Sequence, residues 1–287
     1  MWKIFKYAFK GLVGLLAIIG FIVVGILGWV STFFIWPDIS YLKVQAPKKT
    51  AFMEFRERQW AEENKKIKLH YIWTPLSGIS PFVQDAVLIS EDDKFWRHYG
   101  FDLAGIQEAL EKNMRSGTMK AGGSTITQQL AKNIFLSPEK TATRKLKEVF
   151  LTIRLERELG KKRILELYLN VAEWGPGIFG IEEAARHYYG KHASQLGPEE
   201  ACRLAAVLPN PIRFSPVGDS RYVKTRADVI LKVLQKRDKG LSIWEDLQKD
   251  ASRAGQVEEE LSFIPALPAE PDTQGDAGTP ADTPPAQ

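Results

Sequence analysis

Glu91-Asp92-Asp93-Lys94-Phe95-Trp96-Arg97-His98-Tyr99-Gly100-Phe101-Asp102 and, after a gap, Gly122-Gly123-Ser124-Thr125-Ile126-Thr127-Gln128-Gln129-Leu130-Ala131-Lys132-Asn133 decide the reading of this chain. Both lie among patterns of helical period. The periodicity predicts helices over Pro81–Ile89, Leu103–Arg115, Thr125–Phe135, Arg144–Leu159, Lys161–Asn170, Ile181–Tyr189, Pro198–Val207 and Arg221–Arg237. Thr125 with Gln128 three residues on makes a capping box, and Pro198 after Gly197 fits a first helical turn. Ile67–Trp73 alternates like a short strand. Ser116–Gly123 and Trp174–Gly180 each carry three glycines and read as loops able to approach a ligand. The expected fold class is therefore mainly α.

Glu91 follows the apolar run Ala86-Val87-Leu88-Ile89 and precedes two further acids. A carboxylate between an apolar wall and like charges is pushed toward a higher pKa, as suits a general base near neutrality. Taken alone, these acids equally suit the start of a helix. His98 alone suits a hydrogen-bonded structural histidine, and no His or Cys stands at metal-ligand spacing from it. On the next helix Gln128, Gln129 and Lys132 are three and four apart, so they can share a face that binds oxyanions beside the free amides of the helix start. An ordinary solvated polar face is the alternative. In Arg144-Lys145-Leu146-Lys147-Glu148, Lys145 and Glu148 can face one cleft, or Arg144 and Glu148 can form a surface pair of about 0.2–0.5 kcal/mol. Spacing leaves both open.

The chain has 287 residues and a formal net charge of +4, too mild to suggest nucleic-acid binding. Its single cysteine, Cys202, lies in an apolar helical pattern, reads as a buried spectator, and excludes an intrachain disulfide. Residues 11–36 contain no charged side chain, a run of roughly 39 Å as a helix against a hydrocarbon core of about 30 Å. It reads as a retained transmembrane anchor with an interfacial end at Trp29, Phe33, Phe34 and Trp36. A signal peptide is the competing reading, but no small-residue cleavage site follows. Lys3, Lys6 and Lys10 before the span balance Lys43, Lys48 and Lys49 after it, so charge does not orient it. The expected organisation is a short tail (1–10), the anchor (11–36), a membrane-proximal segment (37–72), a catalytic domain (73–240), an extension (241–261) and a disordered Pro-rich acidic tail (262–287).

Two local matches are set aside. Gly175-Pro176-Gly177-Ile178-Phe179-Gly180 has the dinucleotide fingerprint's spacing but follows a helix, and Ser40-Tyr41-Leu42-Lys43 has the transpeptidase spacing without any Lys-Thr-Gly.

Read in order, the motifs at 91–102 and 122–133, Arg144–Glu148, and Arg163-Ile164-Leu165-Glu166-Leu167-Tyr168-Leu169-Asn170 resemble the peptidoglycan glycosyltransferases, over roughly 73–216. The short chain beyond that region is similar to the monofunctional biosynthetic members. The resemblance implies a two-lobed, lysozyme-like, mainly α fold behind one transmembrane helix. It implies polymerisation of lipid II with release of undecaprenyl pyrophosphate and inversion at the donor carbon. Glu91 matches the catalytic base and Glu148 the second glutamate, read as positioning or assisting donor activation. Gln129, Lys132, Lys145 and Thr125 match substrate-binding positions, the first three at the donor pyrophosphate. Asp92, Phe95, His98, Glu166 and Asn170 match residues that shape the site.

No required cofactor is implied, with Mg²⁺ or another divalent cation as an optional aid. The implied partners are lipid II, the growing glycan strand, the membrane, and cell-division or elongation proteins. The implied location is the bacterial inner membrane, N-terminus cytoplasmic and catalytic domain periplasmic. A muramidase-like hydrolase using Glu91 as acid, and a scaffold that holds lipid II without turnover, are the competing functions.

Overall fold

The computed structural model describes residues 2–35, 37–116, 123–138 and 141–238. Ten α-helices carry it: α1 Trp2–Ile35, α2 Ala51–Glu62, α3 Pro81–Glu91, α4 Leu103–Ser116, α5 Ile126–Phe135, α6 Ala142–Glu158, α7 Lys161–Val171, α8 Ile181–Tyr189, α9 Pro198–Val207 and α10 Arg221–Asp238. The expected mainly helical class holds. Local chemistry explains the starts. Pro81 and Pro198 open α3 and α9, Thr141 accepts from Arg144 N to cap α6, and the Thr125–Gln128 capping box closes the start of α5. Gly190 ends α8 in the left-handed region, φ 63°.

The core gathers around α7, whose Ile164, Leu165, Leu167, Tyr168, Leu169 and Val171 are buried. α5 and α6 pack on it, while α3, α9 and α10 pack together through Val83, Val87, Leu204, Ala205, Val223 and Ile230. Cys202 is buried in this core, where desolvation raises its thiol pKa to about 12, so the spectator reading stands.

The glycine-rich run 174–180 differs from expectation. It is a buried hairpin, not a ligand-facing loop: β2 Glu173–Gly175 pairs antiparallel with β3 Ile178–Phe179, and β3 pairs parallel with β1 His70–Tyr71. Its glycines serve close backbone approach. A Cβ on Gly177 would stand 2.5 Å from Lys68 O, and one on Gly180 2.8 Å from Asn170 O, both at positive φ. The other glycine-rich run lies outside the described residues at 117–122, as do 239–287, where the extension and the disordered tail are expected.

Counting only described side chains, whose longest uninterrupted run in α1 is 9–25, no helix is long and apolar enough to cross a membrane. The side chains of Trp29, Phe33, Phe34 and Trp36 lie outside the described residues. Those described in α1 include the exposed apolar Leu12, Leu15, Leu16, Ile18, Ile19, Phe21, Ile22 and Val24.

Two residues of the Arg163–Asn170 motif brace the segment entering α3. Asn170 accepts from Thr74 N and donates to Thr74 O and Glu166 O, each at 2.8 Å, and Glu166 accepts from Leu76 N at 2.7 Å. Arg163 pairs with Glu166 and donates to Leu42 O and Gln45 O, both at 2.7 Å, which fastens the segment at 42–45 to α7. Asn170→Ala strands the Thr74 amide and carbonyl. Denaturant melts should show a loss of about 1–3 kcal/mol, the usual cost of an unsatisfied buried polar group, whereas an unchanged midpoint would refute the brace.

Candidate active site

Glu91 is the last residue of α3, and Asp92 leaves the helix with φ −165° and ψ 73°. The acids therefore end a helix instead of starting one. At that end the carbonyl dipoles offer a carboxylate no stabilisation. The Glu91 side chain is only 11% exposed. Burial raises its pKa above the ordinary carboxylate value, opposed first by the Arg226 charge and then by hydrogen bonds from Gln129 and Ser90. The neighbouring acids, expected to add to this rise, are themselves held by partners. Asp92 Oδ1 lies 2.8 Å from His98 Nε2, its Oδ2 accepts from Ile126 N at 2.9 Å, and Asp93 pairs with Arg237.

Those contacts show how the two motifs meet. Asp92 carries a carboxylate to the first amide of α5, a favourable site for negative charge, and so fixes α5 against the end of α3. Thr125 is buried, donates its hydroxyl to Gly100 O at 2.7 Å, and accepts from Gln128 N at 3.3 Å. That hydroxyl is thus occupied in joining the motifs. Gln128 returns its Oε1 to Thr125 N at 3.0 Å and is buried, which removes it from the shared polar face the spacing allowed. Phe95 is buried under Lys161, whose ammonium lies 4.4 Å from the ring centre, and stacks edge-on with His98.

Gln129 sits beside the carboxylate. Its Nε2 donates to Glu91 Oε2 at 2.9 Å, and its Oε1 accepts from Tyr168 OH at 3.0 Å. The tyrosine thereby fixes which way the amide points, and one N–H of the amide remains for a ligand. Lys132, a turn further along α5, has neither hydrogen bond nor ion pair among the described residues. Burial lowers its pKa; Glu148 is the largest influence opposing this, while Arg144 and Lys145 add to it.

On α6, Glu148 is buried and held by both neighbours: Arg144 Nη1 at 2.8 Å, and Lys145 through a shorter contact. Both pairings that the spacing allowed, Lys145 with Glu148 and Arg144 with Glu148, are therefore made. The surface-pair energy does not apply to a carboxylate buried this deeply. Arg144 Nε is buried with no hydrogen-bond partner among the described residues, and the Lys145 side chain is 48% exposed. Glu91, Gln129, Lys132, Glu148, Arg144 and Lys145 thus form one electrostatic neighbourhood, a carboxylate at one end and cations at the other. Glu166 and Asn170 contribute through backbone bracing.

Three contributors escaped the sequence reading. Tyr168 lies inside a quoted motif but gave no sign that its hydroxyl reaches Gln129. Ser90 Oγ lies 3.2 Å from Glu91 Oε1, and Arg226 reaches Glu91 from α10, across a separation that no local spacing rule spans.

A carboxylate of raised pKa in one site with cations, of which Lys132 has no partner among the described residues, can take a proton from a hydroxyl while an anionic leaving group is stabilised. Comparison with known proteins gives the same direction. The family model described as Transglycosylase matches residues 59–235. The biosynthetic peptidoglycan transglycosylase of Nitrosospira multiformis is 46% identical over 203 residues, 71% of this chain and 88% of the relative. That of Dechloromonas aromatica is 47% identical over 220 residues, 76% of this chain and 91% of the relative. That of Aromatoleum aromaticum is 50% identical over 186 residues, 65% and 79%.

Proposed function

The chain belongs to the transglycosylase family, glycosyltransferases that make glycan strands in cell-wall synthesis, and on that premise we propose how its site does so. The substrates are lipid II and the growing strand. Glu91 takes the proton of the acceptor GlcNAc 4-hydroxyl as that oxygen attacks C1 of the donor MurNAc. The C1–oxygen bond to the pyrophosphate breaks in the same displacement, its electron pair leaves with undecaprenyl pyrophosphate, and the configuration at C1 inverts. Lys132 and Lys145 compensate the charge that grows on the pyrophosphate, with Gln129's remaining N–H beside them. Glu148 positions Lys145, with Arg144 beside it, by pairing with both. A hydrolase expelling a sugar alkoxide needs a protonated carboxyl group as acid; pyrophosphate leaves readily when its charge is met, so cations replace the acid. The observation that carries this reading is the partly buried Lys132, which has no partner among the described residues, in the same site as the largely buried Glu91.

A divalent ion fits this scheme only through the substrate. Glu148 and Asp92 are occupied by protein donors, and among the described residues no group of three or more His, Cys, Asp or Glu is placed to hold a metal. The hard oxygen ligands would be those of the pyrophosphate, where the ion would add charge compensation.

We place the enzyme at the inner membrane, with α1 as anchor, its N-terminus cytoplasmic and the catalytic unit periplasmic. Exposed apolar side chains around α1 support this, as does the exposed stripe Leu103, Ile106, Leu110 and Met114 on α4 beside Trp96 and Tyr99. The lipid tail confines the donor to that interface, and the compartment that receives flipped lipid II sets the orientation. The two-lobed, lysozyme-like arrangement is the architecture this function implies.

Purified protein given lipid II should produce long glycan strands. Digestion of finished cell wall without polymer would overturn the reading, and binding without turnover would favour a scaffold. Chelator should slow polymerisation without abolishing it. Complete loss in chelator would contradict charge compensation by Lys132 and Lys145 alone.

A further inference from the structure

Arg226 approaches the carboxylate from the side opposite Gln129. Its Nη2 stands 3.6 Å from Glu91 Oε1, donates to Ser90 Oγ at 3.0 Å, and reaches Ser90 O at 3.3 Å. Ser90 Oγ itself lies 3.2 Å from Glu91 Oε1. At 3.6 Å the guanidinium attracts the carboxylate without donating a normal hydrogen bond to it, so Oε1 keeps lone-pair capacity for an incoming proton. The other oxygen, Oε2, is held by Gln129. Each oxygen thus accepts one side-chain hydrogen bond, Oε2 from Gln129 and Oε1 from Ser90, and Oε1 is the one that faces the guanidinium.

We propose that Arg226 is a positioning residue for Glu91, orienting its Oε1 through Ser90 and maintaining the carboxylate as a base. The inference rests on the assignment of Glu91 as the base. α10 is well placed for this role, because it packs on α3 and α9 and its Arg237 also pairs with Asp93, so one helix grips the acidic motif twice. The groups facing Glu91 from the surrounding elements are Ser90 on α3, Gln129 and Lys132 on α5, Tyr168 on α7, and Tyr222 and Arg226 on α10. Asp92 and Asp93 beside it are already engaged by His98 and Arg237. Among these groups the Arg226 charge is the largest opponent of the burial that raises the Glu91 pKa. Removing the cation raises that pKa further, so the ionised base is lost at a higher pH.

The test is the pH–rate profile of lipid II polymerisation by the full chain, with kcat and donor KM separated. Arg226→Gln should lower kcat by about 10-fold or more and move the acid limb upward by about one pH unit, the scale of losing one nearby opposite charge. Arg226→Lys, which keeps the charge, should hold the limb near its wild-type position. Ser90→Ala leaves the cation in place but removes its anchor together with the serine's own hydrogen bond to Glu91 Oε1, and should move the limb in the same direction by less. It supplies the readout if Arg226→Gln does not fold. An unmoved limb in both Arg226→Gln and Ser90→Ala would overturn the proposal. So would a raised donor KM at unchanged kcat, which would make Arg226 a substrate contact. Glu91→Gln is the control. If it is inactive while the Arg226→Gln profile is unmoved, only the role of Arg226 fails. If Glu91→Gln remains active, the base assignment fails and this inference with it.

Discussion

Lys132→Glu should lower kcat/KM for the donor by about 10²–10³-fold or more, the usual effect of removing one preorganised group that stabilises developing negative charge. Lys132 lacks a hydrogen bond or ion pair among the described residues, and burial makes its charge costly, as its lowered pKa records. Such a cost is tolerated where a ligand supplies the missing anion. Glu148 is not that anion, because Arg144 and Lys145 already hold it. Reversal at Lys132 replaces attraction for the pyrophosphate with repulsion. The fold should survive, since the new carboxylate has the same two cations nearby. Rates measured with donor and acceptor varied separately should show the donor affected far more. Equal losses on both sides would contradict placing Lys132 at the pyrophosphate.

Glu91→Gln should abolish most polymerisation, a fall of about 10²–10⁴-fold for removal of a general base, while the melting transition stays close to wild type. The substitution preserves shape while removing the ability to accept a proton and the charge that faces Arg226. The pH dependence gives a second view of the same residue. Activity requires Glu91 ionised and Lys132 protonated. It should therefore fall as pH drops through the Glu91 pKa, which burial raises, and fall again as pH rises through the Lys132 pKa, which burial lowers. The profile should be a bell narrower than ordinary glutamate and lysine values would give. A flat acid limb in the wild type would remove Glu91 from the proton transfer.

Much of the scaffold was legible because helices announce themselves locally. Pro81, the Thr125–Gln128 box and Pro198 mark starts that the structure keeps, and the apolar spacing of α7 makes it the core. The hairpin at 173–179 was not legible. Its strands are too short to alternate, and glycines that permit close backbone packing look, in sequence, like those of an open loop. Within the site, the pairing of Glu91 with the α5 face came through only from the order of several motifs and the family resemblance it carries, since each motif alone equally suits an ordinary helix. The capping box carried a consequence that spacing alone hid: a Gln128 committed to Thr125 cannot also serve a ligand. The contacts of Tyr168 and Arg226 were hidden for a different reason. They depend on how α7 and α10 pack against α3 and α5, and helical periodicity reports which side of a helix is buried, not which distant hydroxyl or guanidinium meets it.

The proposed mechanism turns on a single displacement in which Glu91 takes the acceptor proton and cations meet the leaving pyrophosphate. The most direct test is the anomeric configuration of the bond that the wild-type chain forms from lipid II, read by NMR on the product strands. The predicted result is complete inversion relative to the donor, with no glycosyl–enzyme adduct on Glu91 or Glu148 when the reaction is quenched during turnover. Retention, or a trapped adduct on either glutamate, would contradict it.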